Sequence, residues 1–457
     1  MRAVQGVFGF ALILLSACAT SLKPEARAPS PEGWRAENVE IVGYSDLGGR
    51  EGALKLAIKR VGEGEEERWY LYVGHLWRSG WSIVEVTDPA APRYVRFVEG
   101  PPNTTTKQVT LHGDLLITGL SPQGGSDDGE GEDGSSGEAG VYLWDVSDPE
   151  NPQRLSHWSA GPGLGTHRNS YPGGDYAYIS TRVPGYRNLV LVILDVSDPR
   201  NPRQVGLWAQ PGQRLDEPLA QNPRWLGFHG PLTVSADGRT GVAGYAPQVV
   251  TLDLSDPSRP RQLGGLTVTP PFVTGGGSSS MHTAYPLWDR NLILVANERH
   301  AENCDEEAMS LLGFVDASDS TAPRLISMFP TPQPPAGEAY GDFCDKNGRF
   351  GPHNISMETH SPDVQPIEDL LYVTYFNAGL RVFDIRDPRR VSEVGYFIPP
   401  TPTERVGPRP RELEASSEDV LVDARGYAYV SDKQWGVWIV RYNGPLADER
   451  DQLTIDD

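Results

Sequence analysis

The chain has 457 residues, enough for roughly two or three average domains or for one large architecture built from repeats. Its 50 glycines and 40 prolines exclude a long-helix protein, because both residues interrupt helices and they are dispersed along the chain. With 40 Lys and Arg against 61 Asp and Glu, the net charge of −21 argues against a nucleic-acid partner, since such a surface repels a phosphate backbone.

Residues 1–17 are typical of an export signal. A basic start precedes an apolar run from Val7 to Leu15, which is too short to span a membrane, and small residues come before Cys18. The sequence Leu-Ser-Ala-Cys that ends at Cys18 resembles the box of bacterial lipoprotein signals. This resemblance implies a lipid anchor on Cys18 and a location in the bacterial cell envelope, at the outer membrane. The alternative is a soluble secreted protein. Residues 18–37, rich in Pro, Ala and Glu, are predicted to form a tether.

The rest of the chain repeats an apolar strand that ends in Asp-X-Ser-Asp-Pro-X-X-Pro. The second Asp of the motif recurs at Asp88, Asp148, Asp198, Asp256, Asp319 and Asp387. Aspartate caps a turn with its carboxylate and the next proline fixes φ, so each copy is predicted to end a strand and reverse the chain. A reading of these acids as paired catalytic carboxylates would need the same chemistry in every repeat. The spacing of roughly 50 to 68 residues fits one four-stranded blade with variable loops.

Between the turns, alternating β-branched and aromatic residues, as in 175–180, predict half-buried antiparallel strands. The last repeat has three such segments, and a segment of matching pattern, Val39–Tyr44, stands at the other end of the chain. We therefore predict an all-β fold, a seven-bladed β-propeller over residues 38–445 that is closed by an N-terminal strand completing the last blade. Residues 446–457 are expected to form an acidic C-terminal tail.

The Asp-Val-Ser-Asp-Pro units, and above all the run from Tyr375 to Asp384, resemble the LVIVD-repeat β-propellers of exported bacterial proteins. The resemblance covers nearly the whole mature chain, and it implies the propeller fold. It implies little about activity, because most members of that family have no assigned function.

Four histidines stand just before the first strand of consecutive blades: His167, His229, His282 and His353. The first strand of a propeller blade is innermost, so these imidazoles are expected to converge on the axis. Converging neutral imidazoles suit a transition metal ion such as Cu, Fe, Mn or Zn. The arrangement is similar, in architecture only, to the axial histidine centres of carotenoid-cleaving dioxygenase and methanethiol-oxidase propellers. A structural polar lining and substrate binding without a metal stay open as alternatives.

Residues that follow second strands should surround the same end of the channel. Glu298 is expected to accept a hydrogen bond from His282, to be a fifth ligand, or to be an exposed loop acid. The other pocket candidates are His75, Arg182, Tyr245, Asn377 and Lys433, with His300 and His360 as further possibilities.

Cys304 and Cys344 form an even pair in a chain predicted to be exported. In an oxidising compartment such a pair is expected to form a disulfide rather than a metal dithiolate. Both residues fall in loops predicted on the histidine face, so the bridge would hold two long loops over the channel mouth.

Two functional hypotheses remain. The first is a membrane-anchored extracytoplasmic propeller with an axial four-histidine metal centre, a metal-dependent oxidoreductase acting on a small molecule. The second is a non-catalytic platform that binds a protein or a glycan on the same face. In both cases we expect a monomer, and whether the protein is an enzyme stays open.

Overall fold

The computed structural model describes residues 31–123, 137–161, 164–218, 227–246, 248–267, 281–307, 310, 312–357 and 360–447. The predicted signal segment 1–17, Cys18, most of the tether and most of the acidic tail lie outside the described residues. Within the described ranges, no helix combines the length and apolarity needed to cross a membrane.

Antiparallel strands make up almost all of the regular structure. The strands are β1 (Arg35–Glu37), β2 (Val39–Ser45), β3 (Ala53–Val61), β4 (Arg68–His75), β5 (Gly80–Glu85), β6 (Arg93–Glu99), β7 (Thr104–Thr105), β8 (Val109–His112), β9 (Leu115–Pro122), β10 (Gly140–Asp145), β11 (Gln153–Trp158), β12 (Tyr176–Arg182), β13 (Leu189–Asp195), β14 (Arg203–Trp208), β15 (Gly227–Phe228), β16 (Thr233–Val234), β17 (Thr240–Ala246), β18 (Gln248–Asp253), β19 (Arg261–Thr267), β20 (Met281–Leu287), β21 (Leu292–Asn297), β22 (Leu312–Asp316), β23 (Arg324–Met328), β24 (Leu370–Thr374), β25 (Leu380–Asp384), β26 (Ser392–Ile398), β27 (Ser417–Val422), β28 (Tyr427–Asp432) and β29 (Gly436–Tyr442). Short 3₁₀ helices span Gly64–Glu66, Trp288–Arg290 and Cys304–Glu306.

The strands form seven sheets, which are the seven predicted blades. In chain order the blades contain β3–β6, β7–β11, β12–β14, β15–β19, β20–β23, β24–β26 with β1, and β27–β29 with β2. In the third and sixth blades an irregular segment takes the innermost place, where Thr166 bridges to Thr181 and Ile355 to Val373. Apolar side chains pack between neighbouring blades, so the core is a ring of clusters around the axis.

The two ends of the described chain meet in the last blade, as predicted. Strand β2 pairs with β29, with Val39 opposite Tyr442 and Ser45 opposite Val437. The preceding strand β1 was expected to be part of the tether, but Arg35 lies opposite Ile398 at the outer edge of the sixth blade. Regular structure therefore begins before residue 38.

The repeated aspartates make the turns. In the third blade the Asp195 carboxylate accepts hydrogen bonds from the backbone N and Oγ of Ser197 at 3.0 and 2.6 Å, and its other oxygen lies 2.7 Å from Arg203. Asp198 accepts a hydrogen bond from the backbone N of Arg200 at 3.0 Å. These carboxylates are occupied in fixing the turn, which is the role that the motif predicted.

Each of these turns also joins neighbouring blades. A Cβ on Gly206, in the outer strand β14, would lie 2.0 Å from the carbonyl oxygen of Pro257 in the next turn. In the second blade the equivalent contact is a hydrogen bond of 2.6 Å from Ser156 Oγ to the carbonyl of Pro199. At Gly206 a side chain would clash with the next turn, because the turn carbonyl lies directly against the strand.

Candidate metal centre

Strand pairing brings the four histidines to equivalent positions at the axis. In three blades the residue just before the histidine pairs with the end of the second strand of that blade. These pairs are Thr166 with Thr181 before His167, Phe228 with Tyr245 before His229, and Met281 with Asn297 before His282. In the fifth blade the register shifts at His282, so a β-bulge turns this side chain towards the channel. His353 is fixed by a hydrogen bond of 2.8 Å from its backbone N to Thr374 O.

The four imidazoles form a continuous arc. The ring centroids of His167 and His229 lie 4.4 Å apart, those of His229 and His282 4.3 Å, and those of His282 and His353 4.7 Å. The Nε2 atoms of His167 and His229 are separated by 2.9 Å. Three of the rings are buried and His229 is partly exposed.

Glu298 faces this arc from the loop after β21. Its Oε2 lies 3.4 Å from His282 Nε2 and its Oε1 lies 3.5 Å from His353 Nε2. The side chain of Glu298 is buried, at 7% exposure, so it is not an exposed loop acid. One ligand atom from each of His229, His282 and Glu298 lies within 4.8 Å of the others. Two imidazoles and a carboxylate are therefore close enough to share one ion.

Backbone carbonyls set which ring nitrogens carry protons. The carbonyl of Glu418 accepts a hydrogen bond from His353 Nδ1 at 2.7 Å, and the carbonyl of Gly230 lies 3.4 Å from His229 Nδ1. A carbonyl oxygen only accepts, so Nδ1 is the donor in both rings and Nε2 of the neutral ring keeps its lone pair. The His353 Nε2 lone pair faces Glu298, whereas the His229 Nε2 lone pair accepts a hydrogen bond from His167 Nε2 at 2.9 Å. A neutral imidazole whose Nδ1 donates to a carbonyl is the form that binds a metal ion through Nε2.

Burial keeps His167, His282 and His353 neutral. Loss of hydration holds the pKa values of His167, His282 and His353 well below the usual histidine range. Arg168 adds to this effect at His282, whereas the Glu298 carboxylate opposes it at His353. At neutral pH the cluster therefore offers uncharged imidazoles, the protonation state that metal binding needs.

Two charged residues that the sequence analysis did not single out, Arg349 and Glu418, lie beside the cluster. Arg349 Nη1 donates to Glu298 Oε1 at 2.9 Å, and its guanidinium lies 4.2 Å from the centre of the Phe376 ring. Glu418 occupies in the last blade the position that histidine holds in the third to sixth blades, since it follows Ser417, which pairs with the end of β28. A comparison of the bulge position across all seven repeats would have found Glu418.

Arg168 and Lys107 also line the site and were missed. Arg168 directly follows His167, and it lies 3.2 Å from His282 Nδ1. The spacing of the repeats predicts one inward-facing residue per blade, here His167. It does not predict that a bulge lets the following residue, Arg168, face inward as well.

Of the predicted pocket residues, only Lys433 joins the histidine cavity together with Glu298. His75 is buried within the first blade, and Tyr245 Oη hydrogen-bonds Gln213. Asn377 caps the loop at 343–347, and Arg182 does not line the cavity. His300 Nε2 lies 3.9 Å from Glu298 Oε2, whereas His360 binds the carbonyl of Val234 elsewhere in the molecule.

The predicted disulfide is confirmed. Cys304 and Cys344 are bonded, with their Cα atoms 5.6 Å apart. The bridge joins the loop that contains Glu298 to the loop that contains Arg349, and these two side chains form the ion pair beside the histidines. The disulfide therefore ties together the two segments that build this side of the site.

A small cavity of about 30 Å³ lies against the cluster. Its lining includes His167, His282, His353, Glu298, Glu418 and four cationic side chains. A single water position needs about 10 to 15 Å³, so the cavity is suited to an ion with one small ligand rather than to a large organic molecule.

Comparisons with known proteins add one family match. Residues 173–208 match the LVIVD repeat. No curated protein matches the chain.

Similar solved structures share little sequence with the chain. A protein from Lactobacillus plantarum is 13% identical with a TM-score of 0.45, covering 86% of this chain and 98% of that one. The computationally designed Ika8 protein is 8% identical with a TM-score of 0.45, covering 87% and 98%. YCF48 from Cyanidioschyzon merolae is 8% identical with a TM-score of 0.49, covering 88% and 98%. The chain is a seven-bladed β-propeller, and its third blade contains an LVIVD repeat.

Proposed function

We propose that the protein binds one transition metal ion on the propeller axis, held by His229, His282 and Glu298 with His167 and His353 beside them. The observation that carries the proposal is the spacing of the donor atoms. Two donor atoms bound at about 2.0 to 2.1 Å in tetrahedral geometry lie about 3.3 to 3.4 Å apart. This matches the separation of His282 Nε2 and Glu298 Oε2, which is 3.4 Å.

The orientation of Glu298 also favours a metal over a purely structural lining. The Nε2 lone pair of His353 faces a carboxylate oxygen at 3.5 Å, and two electron-rich groups at this distance repel each other. Arg349 offsets part of the carboxylate charge. A cation between the imidazoles and Glu298 would turn the remaining repulsion into attraction.

The donor set suits Fe, Mn, Zn or Cu, because imidazole and carboxylate ligands are compatible with all four ions. A redox-active ion bound there would supply electron transfer to a small molecule in the cavity, which is the oxidoreductase form of the proposal. The residues of the chain would keep the imidazoles neutral, orient their Nε2 atoms and restrict what enters.

We place this activity outside the cytoplasm, on a protein anchored by a lipid on Cys18. The signal-like segment 1–17 supports this placement, and so does the disulfide, because structural disulfides persist in oxidising compartments. Incorporation of a palmitate analogue that is lost in Cys18→Ala would support the anchor, whereas labelling that persists would contradict it.

Elemental analysis of purified protein tests the metal proposal. We expect about one equivalent of Fe, Mn, Zn or Cu per chain in the wild type, and loss of that metal in the double variant His229→Ala/His282→Ala. His360→Ala is the matched control, since His360 contacts Val234 and does not line the cavity, and it should keep the metal.

Circular dichroism must show that the variants remain folded. Wild-type protein that stays metal-free after incubation with each of the four ions would contradict the proposal, and so would full metal retention in the double variant. In either case the binding platform for a protein or glycan becomes the better account of the histidine face.

A further inference from the structure

The charges around the axial cavity have the opposite sign to the molecule as a whole. Among the residues that the structure describes, four cationic side chains line the cavity: Lys107, Arg168, Arg349 and Lys433. Two carboxylates, those of Glu298 and Glu418, also line the cavity and offset two of these charges. With neutral histidines the lining therefore has an excess of two positive charges, in a chain whose net charge is −21. All six charged side chains are buried.

Arg168 is the most unusual of these cations. Its side chain lies on the axis at 3% exposure, and it donates to neutral acceptors. These are the carbonyl of His282 at 2.9 Å, the carbonyl of Gly230 at 3.3 Å and Asn354 Oδ1 at 2.7 Å. A guanidinium is not deprotonated in proteins, so Arg168 is charged at neutral pH. The Asp419 and Glu298 carboxylates act on this guanidinium electrostatically, but each also pairs with another cation, Lys55 and Arg349 respectively. A buried cation whose hydrogen-bond acceptors are neutral is costly unless an anion offsets it.

A bound metal ion would increase this imbalance. A divalent ion adds two positive charges to a cavity that already has an excess of two. The low polarity of a buried site strengthens the attraction of such a cavity for an anion. A metal ion at the histidine cluster and the surrounding cations would therefore both favour a bound anion.

We propose that the cavity binds a small anion of three or four non-hydrogen atoms, such as formate, nitrite, azide or bicarbonate. Guanidinium and ammonium groups hold anions of this kind by charge-assisted hydrogen bonds. The volume of about 30 Å³ sets the upper size. Binding by the cations alone needs no metal, but the role of the anion as a ligand or substrate of the ion rests on the proposed function.

Formate and formamide are matched probes, because they have nearly the same size and differ in charge. Isothermal titration calorimetry of metal-free protein should detect formate binding and no comparable binding of formamide. Equal affinities for the two probes would overturn the inference, since charge would then not determine binding. Absence of formate binding in both metal-free and metal-loaded protein would also overturn it.

Variants locate the anion. Lys107→Met and Arg168→Gln should each weaken formate binding by about tenfold or more, because a charge-assisted hydrogen bond contributes roughly 1.5 to 3 kcal/mol. Lys59→Met is the control, since Lys59 is also a buried lysine of the inner region but pairs with Asp114. Two variants are used so that misfolding of one leaves the other informative. If both single variants fold and both bind formate as tightly as the wild type, the proposed anion site is contradicted.

A second titration separates this inference from the proposed function. Azide added to protein loaded with Cu(II) should produce a new charge-transfer absorption band if the anion binds the ion. If metal binds but neither azide nor formate does, the anion inference fails alone. If formate binds to a protein that takes up no metal, the metal proposal fails and the anion site stands.

Discussion

The buried histidines of this chain fall into two groups, according to what their ring nitrogens face. In His75, Nδ1 donates to the carbonyl of Glu51 at 2.9 Å and Nε2 accepts from Ser82 Oγ at 2.8 Å. Both nitrogens are satisfied by the protein, which is the arrangement of a structural histidine. In His353, by contrast, Nδ1 is satisfied and Nε2 faces Glu298. The difference between these two rings is the residue-level argument for a ligand site on the axis.

The structural histidine makes a testable contribution to pH dependence. Burial lowers the pKa of His75 from 6.5 to about 4, so the unfolded chain takes up its proton first as the pH falls. The stabilising contribution of neutral His75 is therefore complete above pH 6.5 and is lost between pH 6.5 and 4. The shift corresponds to about 3 kcal/mol.

We therefore expect wild-type protein to lose about 3 kcal/mol more unfolding free energy than His75→Gln between pH 7 and pH 4. Urea unfolding at several pH values measures this difference. Because both proteins share every other titrating group, the comparison isolates His75. Parallel pH profiles for the two proteins would contradict the assignment.

Bulges and loops, rather than regular strands, build the site. The shift between Met281 and Thr283 turns His282 towards the axis, and the same shift between Ser417 and Asp419 positions Glu418. Glu298 and the Arg349 that pairs with it come from loops. Loops are held less firmly than strands, so the disulfide between these two loops is the element that limits their separation.

Removal of the disulfide should weaken both the fold and the site. The bridge closes a segment of 40 residues, and constraint of a loop of that length in the unfolded chain contributes about 4 kcal/mol. We expect Cys304→Ala/Cys344→Ala to lose a large part of this stability and to bind metal less tightly. Thermal unfolding and metal titration measure the two effects.

The matched control for this variant is Cys18→Ala, which removes a cysteine outside the pair. It should match the wild type in both measurements. A double variant with unchanged stability and metal affinity would show that the two loops are held by their other contacts.

On the scale of the whole molecule, the closed ring separates two kinds of charge. The repeated turns place aspartates such as Asp195 and Asp253 near the surface, each paired with an arginine eight residues on. The axis instead collects buried cations and imidazoles from successive blades. Closure by β2 completes this arrangement, because it fixes the last blade, which contributes Glu418, next to the first.

The sequence predicted the ring because its signals are local and repeated. The Asp-Pro turns mark each blade, and the alternation of Val39–Tyr44 identifies the closing strand. The positions of the four histidines followed from the rule that first strands are innermost. The sequence prediction places Tyr245 and Asn377 in the pocket, but Tyr245 bonds Gln213 and Asn377 caps the loop at 343–347. The direction of a side chain at a strand end cannot be predicted from spacing alone, because a shift of one residue reverses it. Arg168 was missed for the related reason that a bulge interrupts this alternation.

The most direct test of the account is an anomalous difference map from a crystal of protein loaded with one of the four ions, collected at the absorption edge of that ion. The account predicts a single strong peak on the propeller axis, about 2.0 to 2.2 Å from Nε2 of His229, Nε2 of His282 and a carboxylate oxygen of Glu298. A map with no peak at the axis, or with its strongest peak at surface carboxylates, would contradict it.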